Sequence, residues 1–243
     1  MLLELVTQYA FTMTFIGMAA GTLYAVLERN NMTPALSPVA SASAMVTLIA
    51  AMNYYNMLNI VDSAVEGSAF TFPTEYRYID WILTTPLLLA IISLLTGRKH
   101  IASLLTRLMG ADIAMILLGY FGEVIINQEG ATLGAWALFL ASMLPFAYIF
   151  IVLFGELADA ANQLPTEVRG GFDLLRFFVA IGWLIYPVGF LISLMGIGGD
   201  FLMLRELVYC VADLVNKVGF GFVAIHVAKT LSLREAGLTA AGE

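Results

Sequence analysis

The sequence predicts an all-α membrane protein, a bundle of seven transmembrane helices. Three observations carry this. Of the 243 residues, 60% are hydrophobic and 12% charged, where soluble domains carry about 25% charged residues. Apolar runs of about 20 residues, the length that crosses a bilayer, recur along the whole chain. Clusters of turn-forming residues separate those runs. So few charges cannot cover a water-facing surface. Seven spans with short connections use up the chain, so residues 1–243 are read as one membrane domain, with no soluble catalytic or signalling module and no enzyme activity.

The spans follow in order. The first is placed at 4–28; its start lacks the basic residues and small-residue cleavage site of a signal peptide, so it is read as a helix. Asn30-Asn31, Pro34 and Pro38 divide it from a second span at 38–62, and Gly67 to Pro73 divide that from a third at 74–97. Gly97 to His100 precede a fourth span at 102–126, and Asn127 to Gly130 a fifth at 131–158. Pro165 to Gly171 and Gly196 to Asp200 bound the sixth and seventh, at 168–196 and 202–230. No repeat or low-complexity segment occurs.

Charge placement orients the bundle. Arg29, Arg98, Lys99, Arg107, Arg169, Arg176, Lys229 and Arg234 all fall in or near connections on one side of a seven-span chain. Arg77 and Lys217 fall inside spans, which leaves Arg205 for the other side. The positive-inside rule therefore puts the N-terminus outside and the C-terminus in the cytoplasm of a multi-pass plasma-membrane protein. Asp62, Glu66, Glu75, Asp200 and Glu206 cluster near the outer ends. A net charge of −7 argues against nucleic acid as a partner. The single cysteine, Cys210, allows no internal disulfide, and no metal-ligand spacing surrounds it. His100 and His226 stand near predicted helix ends and are read as interfacial.

Charges inside a bilayer cost about 2.5–3.5 kcal/mol each on insertion scales and point to function. In the third span, Arg77, Asp80, Trp81 and Thr84 share one helical face. In the seventh, Asp213 and Lys217 stand four apart and stack on one face. Brought together, the two faces hold two cations and two anions. Charge alone leaves two readings open, a functional centre or a salt-bridge cluster inside a transporter core.

The stretch Arg77-Tyr78-Ile79-Asp80-Trp81-Ile82-Leu83-Thr84-Thr85-Pro86 resembles the third helix of the microbial rhodopsins, the bacteriorhodopsin and proteorhodopsin family. Asp213-Leu214-Val215-Asn216-Lys217, continuing through Gly221, resembles their retinal-binding helix, and Trp183 to Pro187 resemble their sixth. The likeness runs over essentially the whole chain, with the motifs in register. It implies that Lys217 carries all-trans retinal as a protonated Schiff base. Asp80 would be counterion and proton acceptor, Asp213 the second counterion, and Arg77 the link to the outer surface that keeps Asp80 ionised. Thr84 stands beside Asp80 on the proton path. Trp81 and Trp183 would sandwich the polyene, and Tyr54 and Tyr186 would hydrogen-bond near Asp213. Met115, Gly119, Trp136 and Phe190 would line the ring end, with Pro187 on the sixth-helix wall and Thr85 also against the chromophore. Asp112 matches a pocket-adjacent aspartate of bacteriorhodopsin, and Leu88 at the colour-tuning site implies green absorption.

An aspartate at position 80 favours proton chemistry over chloride or sodium transport. The efficient proton pumps place a carboxylic donor where this chain has Ile91, eleven residues beyond Asp80 and about 16 Å along the helix. The resemblance therefore supports a light-driven outward proton pump refilled slowly through water and groups such as Ser43, Thr47, Thr84 or Ser93. Its alternative is a sensory rhodopsin signalling to a membrane transducer, since the sensors also lack the donor; Asn216 and the run Gly119 to Glu123 lean to proteorhodopsin. A passive channel is disfavoured because the second span lacks a run of glutamates. Asn53 stands where proteorhodopsin has a histidine paired with the counterion, and Trp136 where antenna-binding relatives have glycine, which argues against a carotenoid antenna. Besides the lipid bilayer and protons, the resemblance implies a homo-oligomer, trimer or pentamer.

Overall fold

A computed structural model describes residues 2–66, 72–97 and 102–237. Among them seven helices are long and apolar enough to cross a membrane, in the predicted order, and no strand occurs. In α1 (Leu2–Glu28) the buried residues Phe11, Thr14, Met18, Gly21 and Ala25 recur every three or four positions. Met13, Ile16, Leu23 and Leu27 point outward on the same helix. A helix apolar on both faces is stable in lipid, where the backbone bonds only to itself. α2 (Ser37–Glu66) packs beside it.

α3 (Tyr76–Leu95) runs through the middle of the bundle, with Arg77, Asp80, Trp81, Thr84, Leu88 and Ile91 all buried. Pro86 removes one N–H from its ladder. One turn earlier the Thr84 and Thr85 hydroxyls donate to the Asp80 and Trp81 carbonyls at 2.9 and 2.8 Å. α4 (Ala102–Glu129) ends on Gly130, whose φ of 80° closes the turn. Thr132 then caps α5 (Leu133–Phe154) by accepting from the Ala135 N–H at 3.3 Å.

Three spans are less regular than their hydrophobicity predicts. The fifth, expected as one helix over 131–158, stops at Phe154 and resumes beyond Gly155 as α6 (Glu156–Ala161). The Leu153 carbonyl, left without a helical partner, accepts from Arg176 Nε at 2.8 Å. The sixth divides into α7 (Thr166–Ala180), a 3₁₀ turn (Gly182–Leu184) and α8 (Ile185–Leu194). Pro187 accounts for the break, because its ring has no N–H for the Trp183 carbonyl and crowds it. The seventh comprises α9 (Asp200–Asp213), a π-helical segment (Leu214–Gly219) and α10 (Phe220–Glu235). Periodicity averages over such breaks and does not register them.

Two basic residues need correcting. Arg176, expected in the connection before the sixth span, lies within α7 and is buried. Arg205, expected at the outer surface, is only 6% exposed within α9. Arg98, Lys99 and His100 lie outside the described residues, as does the Glu66 side chain. Elsewhere the basic residues gather at one end of the bundle, where Lys229 pairs with Glu28 at 2.6 Å, Arg107 with Glu156 at 2.9 Å and Arg234 with Glu167 at 3.3 Å. That end is the cytoplasmic one on the positive-inside expectation. The largest apolar cluster fills this half, built around Leu88, Ile91, Leu95, Leu108, Phe172 and Phe220. The opposite half carries buried charge.

Candidate functional site

Helices α3 and α9, with the π segment, bring the predicted charges to the centre of the bundle. The Lys217 amine, 2% exposed, bonds directly to Asp80 Oδ2 and lies 3.5 Å from Asp213 Oδ1. Lys217 sits inside the π segment, and single π turns within α-helices mark functional positions often enough to be informative.

The two carboxylates differ sharply in their surroundings. Asp213 accepts from Tyr186 at 2.6 Å, Tyr54 at 2.8 Å and Trp81 Nε1 at 3.4 Å, and Arg77 Nη1 stands 3.5 Å away. Asp80 is bonded through one oxygen, while its Oδ1 has no hydrogen-bond partner. Each Asp213 oxygen is thus occupied, and Asp80 keeps one open.

Arg77 reaches outward from the central cluster, standing between Asp213 and Glu206. Its guanidinium turns away from Asp80: Nε bonds Glu206 Oε2 at 2.8 Å and Nη1 donates to the Tyr54 hydroxyl at 2.7 Å. It lies over the Phe11 ring at 5.0 Å, a contact that stabilises a desolvated cation. Beyond it a second ionic layer follows. Glu206 also accepts from Thr74 at 2.7 Å and pairs with Arg205 at 3.0 Å; Arg205 in turn reaches Glu123 at 3.4 Å and bonds Thr74 and Ser193. Glu206 was grouped with surface acids in the sequence and Glu123 was not singled out at all, because both stand near span ends where solvated carboxylates are common. Both are buried.

Beside Lys217 lies a cavity with a predominantly apolar lining and a few polar groups, the usual make-up of a small-molecule site. Of the predicted contacts, Trp81, Thr85, Leu88, Met115, Gly119, Trp183, Tyr186, Pro187 and Phe190 line it with Lys217. Trp136 does not; it is exposed on the outside of the bundle at a ring-centroid distance of 6.4 Å from Phe139, and Phe139 takes the wall position on α5. Tyr54 acts at Asp213 and does not border the cavity. Asp112 stands one layer back, with one carboxyl oxygen within hydrogen-bond distance of Thr85 Oγ1 at 2.7 Å and its other oxygen unpartnered. Tyr78, Ile116, Ser142, Met143, Phe146 and Asn216 also line it and were not predicted as contacts. An apolar residue facing a ligand carries no mark in the sequence that separates it from one facing lipid.

A buried amine on the wall of an apolar cavity, paired with carboxylates and walled by aromatic rings, fits an apolar aldehyde condensed onto that amine. Comparison with known proteins agrees with this chemistry. The profile of the family described as "Bacteriorhodopsin-like protein" matches residues 5–231. The chain belongs to that family. Its cofactor is accordingly retinal, covalently bound through a Schiff base to a lysine. Among curated relatives, the green-light absorbing proteorhodopsin of Gamma-proteobacterium EBAC31A08 is 32% identical over 226 residues, covering 91% of this chain and 86% of that protein. Among solved structures, the rhodopsin of Exiguobacterium sibiricum shares 43% identity with a TM-score of 0.84, over 94% of this chain and 98% of that one. Xanthorhodopsin, described as a light-driven ion pump with dual chromophore, shares 27% identity with a TM-score of 0.88, over 96% of both chains. The chain is therefore a type I rhodopsin, a multi-pass membrane protein of the plasma membrane.

Proposed function

We propose that this rhodopsin is a light-driven pump that exports protons, with Lys217 as the retinal-bearing residue and Asp80 as the proton acceptor. One observation carries the reading: of the two carboxylates at the Lys217 nitrogen, Asp80 alone keeps an unpartnered oxygen. Bound retinal supplies a bond rotation on absorbing light, which re-aims the N–H of the lysine nitrogen.

The residues around that nitrogen determine where its proton goes. Before illumination Asp80 and Asp213 together offset the positive nitrogen, which an apolar cavity would otherwise leave unsolvated. Trp81 and Trp183 hold rigid walls beside it. Asp80, bonded to the nitrogen and open at Oδ1, accepts the proton. Asp213, held by two tyrosines and Arg77, stays an anion and anchors the site. Once Asp80 is neutral, Arg77 is attracted by Asp213 and Glu206 alone, so the positive charge settles toward the outer ionic layer. Export then continues by way of the carboxylates Glu206 and Glu123, which Arg205 holds together as a fixed cation, and refilling comes from the cytoplasmic side. There Ile91 is fully buried in the apolar cluster. The hydroxyls of Ser43, Thr47 and Ser93 bond back to carbonyls of their own helices, at 2.9, 3.0 and 2.9 Å. Refilling is the slow step.

Relatives described as a light-driven ion pump and as proteorhodopsins support this over signalling through a transducer. The deciding measurement is external pH during illumination of unbuffered cells or sealed vesicles carrying the pigment. Acidification of the medium around cells, abolished by a protonophore, is the expected result. No pH change from a fully coloured preparation would overturn the proposal and favour the sensory role.

A further inference from the structure

The cavity beside Lys217 is closed toward both aqueous faces. Outward, the layer of Arg77, Thr74, Arg205 and Glu206 is charged and fully hydrogen-bonded. Inward, the apolar cluster around Leu88, Ile91 and Phe220 is packed without exposure. Retinal is an apolar aldehyde that partitions into lipid. Its way to a lysine at mid-bundle is therefore lateral, between two helices.

One interhelical gap is built for this. A groove open to lipid runs between the sixth and seventh spans, walled by Phe177, Ile181 and Ile185 on one side and Val208, Val211 and Val215 on the other. Its lining is almost wholly apolar, and its residues are lipid-exposed: Phe177 50%, Ile181 54% and Val211 56%. Its floor is Gly182 and Asn216. Asn216 also lines the cavity beside Lys217, so the groove and the chromophore site adjoin at this side chain. Asn216 Nδ2 donates to the Gly182 carbonyl at 3.1 Å, and the Asn216 side chain also hydrogen-bonds Tyr186, so this residue ties the two helices together at that level. Gly182 has no side chain to close the gap, and a Cβ there would collide with the Asn216 amide.

The backbone on both sides is irregular at the same height. Gly182 opens the 3₁₀ turn that divides α7 from α8, and Asn216 lies in the π segment. Segments that depart from regular α-helix hold fewer mutually reinforcing backbone bonds and yield more readily than the turns above and below.

We infer that the groove between the sixth and seventh spans is the portal through which retinal enters from the bilayer, with the Asn216–Gly182 hydrogen bond as its latch. The inference rests on retinal being the cofactor and on Lys217 being its attachment site. Entry at this point delivers the ring end first, across the cavity toward Phe139 and Phe190, and the aldehyde carbon last, beside the Lys217 amine next to Asn216. There the amine adds to the carbonyl and water leaves, giving the imine without any further reactant.

The test is the rate at which colour appears when all-trans retinal is added to membranes holding the full chain made without it. Val211→Trp and Val208→Trp fill the groove from the lipid side without reaching the cavity. Each is expected to slow colour formation by about tenfold, the effect of ~1.4 kcal/mol on a barrier, with final absorbance and wavelength unchanged. Leu140→Trp, equally lipid-facing on α5 with 61% exposure, is expected to leave the rate as it was. Phe177→Ala widens the groove and is expected to raise it, which keeps the test open if a tryptophan variant fails to fold. Equal rates for all coloured variants would overturn the portal while leaving the cofactor in place. A wild type that stays colourless would remove the reading on which the portal depends.

Discussion

At the residue scale, the chemistry turns on which oxygen is free. Replacing Lys217 with alanine removes the amine, and the protein is expected to stay colourless with retinal by visible absorption. Asp80→Asn keeps the amine but removes the nearer negative charge. That pigment is expected to form, to absorb at longer wavelength because the cation is less stabilised before excitation, and to lose light-driven acidification to background. Retained export in Asp80→Asn would mean that another group takes the proton. Arg205 tests the outer layer. It bridges two buried carboxylates, Glu123 and Glu206, and removing one partner of a buried ionic group leaves charge uncompensated at a cost of about 3–5 kcal/mol. Arg205→Gln should therefore lower the thermal stability of the pigment far more than Arg234→Gln, whose pair with Glu167 is exposed and worth little. At this scale the sequence was informative where a charge interrupts an apolar run, which is why Asp80, Asp213 and Lys217 stood out. It was uninformative for Glu123 and Arg205, because a charge near a span end is ordinary and its burial depends on a neighbouring helix. Trp136 failed for the complementary reason: a large aromatic at the right height faces the cavity only if the helix is rotated to bring it there, and α5 presents Phe139.

At the scale of the element, the seven spans were legible because bilayer thickness sets their length, and their turns because Asn127 to Gly130 and Gly196 to Asp200 carry the residues that turns require. The breaks in the fifth, sixth and seventh spans were not legible. In the fifth and seventh the break goes with partners from another helix, Arg176 at the end of α5 and the charges around Lys217; in the sixth Pro187 stands in the sequence, but an apolar run long enough to span hides the break it makes. Close approach between helices gives a direct test. Gly189 on α8 lies against the Tyr209 ring of α9, and a Cβ there would stand 2.6 and 2.7 Å from two ring carbons. Tyr209 cannot simply retreat, because its hydroxyl donates to the Tyr186 carbonyl at 2.7 Å and its ring packs against Trp81 and Tyr186 at 5.9 and 5.3 Å. Overpacking of this kind costs about 1–3 kcal/mol. Gly189→Ala is expected to lower the pigment's melting temperature and to shift its absorption, since Trp81 and Tyr186 line the cavity. A variant that melts and absorbs like the wild type would show that α8 and α9 separate freely here.

At the scale of the whole molecule, the two halves of the bundle are built from different materials. Outward from Lys217, buried charge runs unbroken from Asp213 through Arg77, Glu206 and Arg205 to Glu123. Inward, the space is filled by aliphatic and aromatic side chains, and the buried hydroxyls are engaged by their own helices. The central site thus has buried carboxylates and their paired cations on one side and an apolar plug on the other. In the outward pump proposed above, this asymmetry sets the direction of transport and makes refilling the slow step. Ile91 occupies the position in the plug where a donor would act, fully buried and on the same face of α3 as Asp80. Ile91→Glu is expected to speed proton uptake after a flash by about tenfold or more, within the range of a positioned general acid. A pH-indicator dye would follow the uptake. Azide, a small acid that carries protons through gaps, is expected to accelerate the wild type strongly and the Ile91→Glu variant little. Unchanged uptake in a correctly coloured Ile91→Glu protein would show that protons return by a route that bypasses α3, and the slowness would then have to be sought elsewhere in the cytoplasmic half.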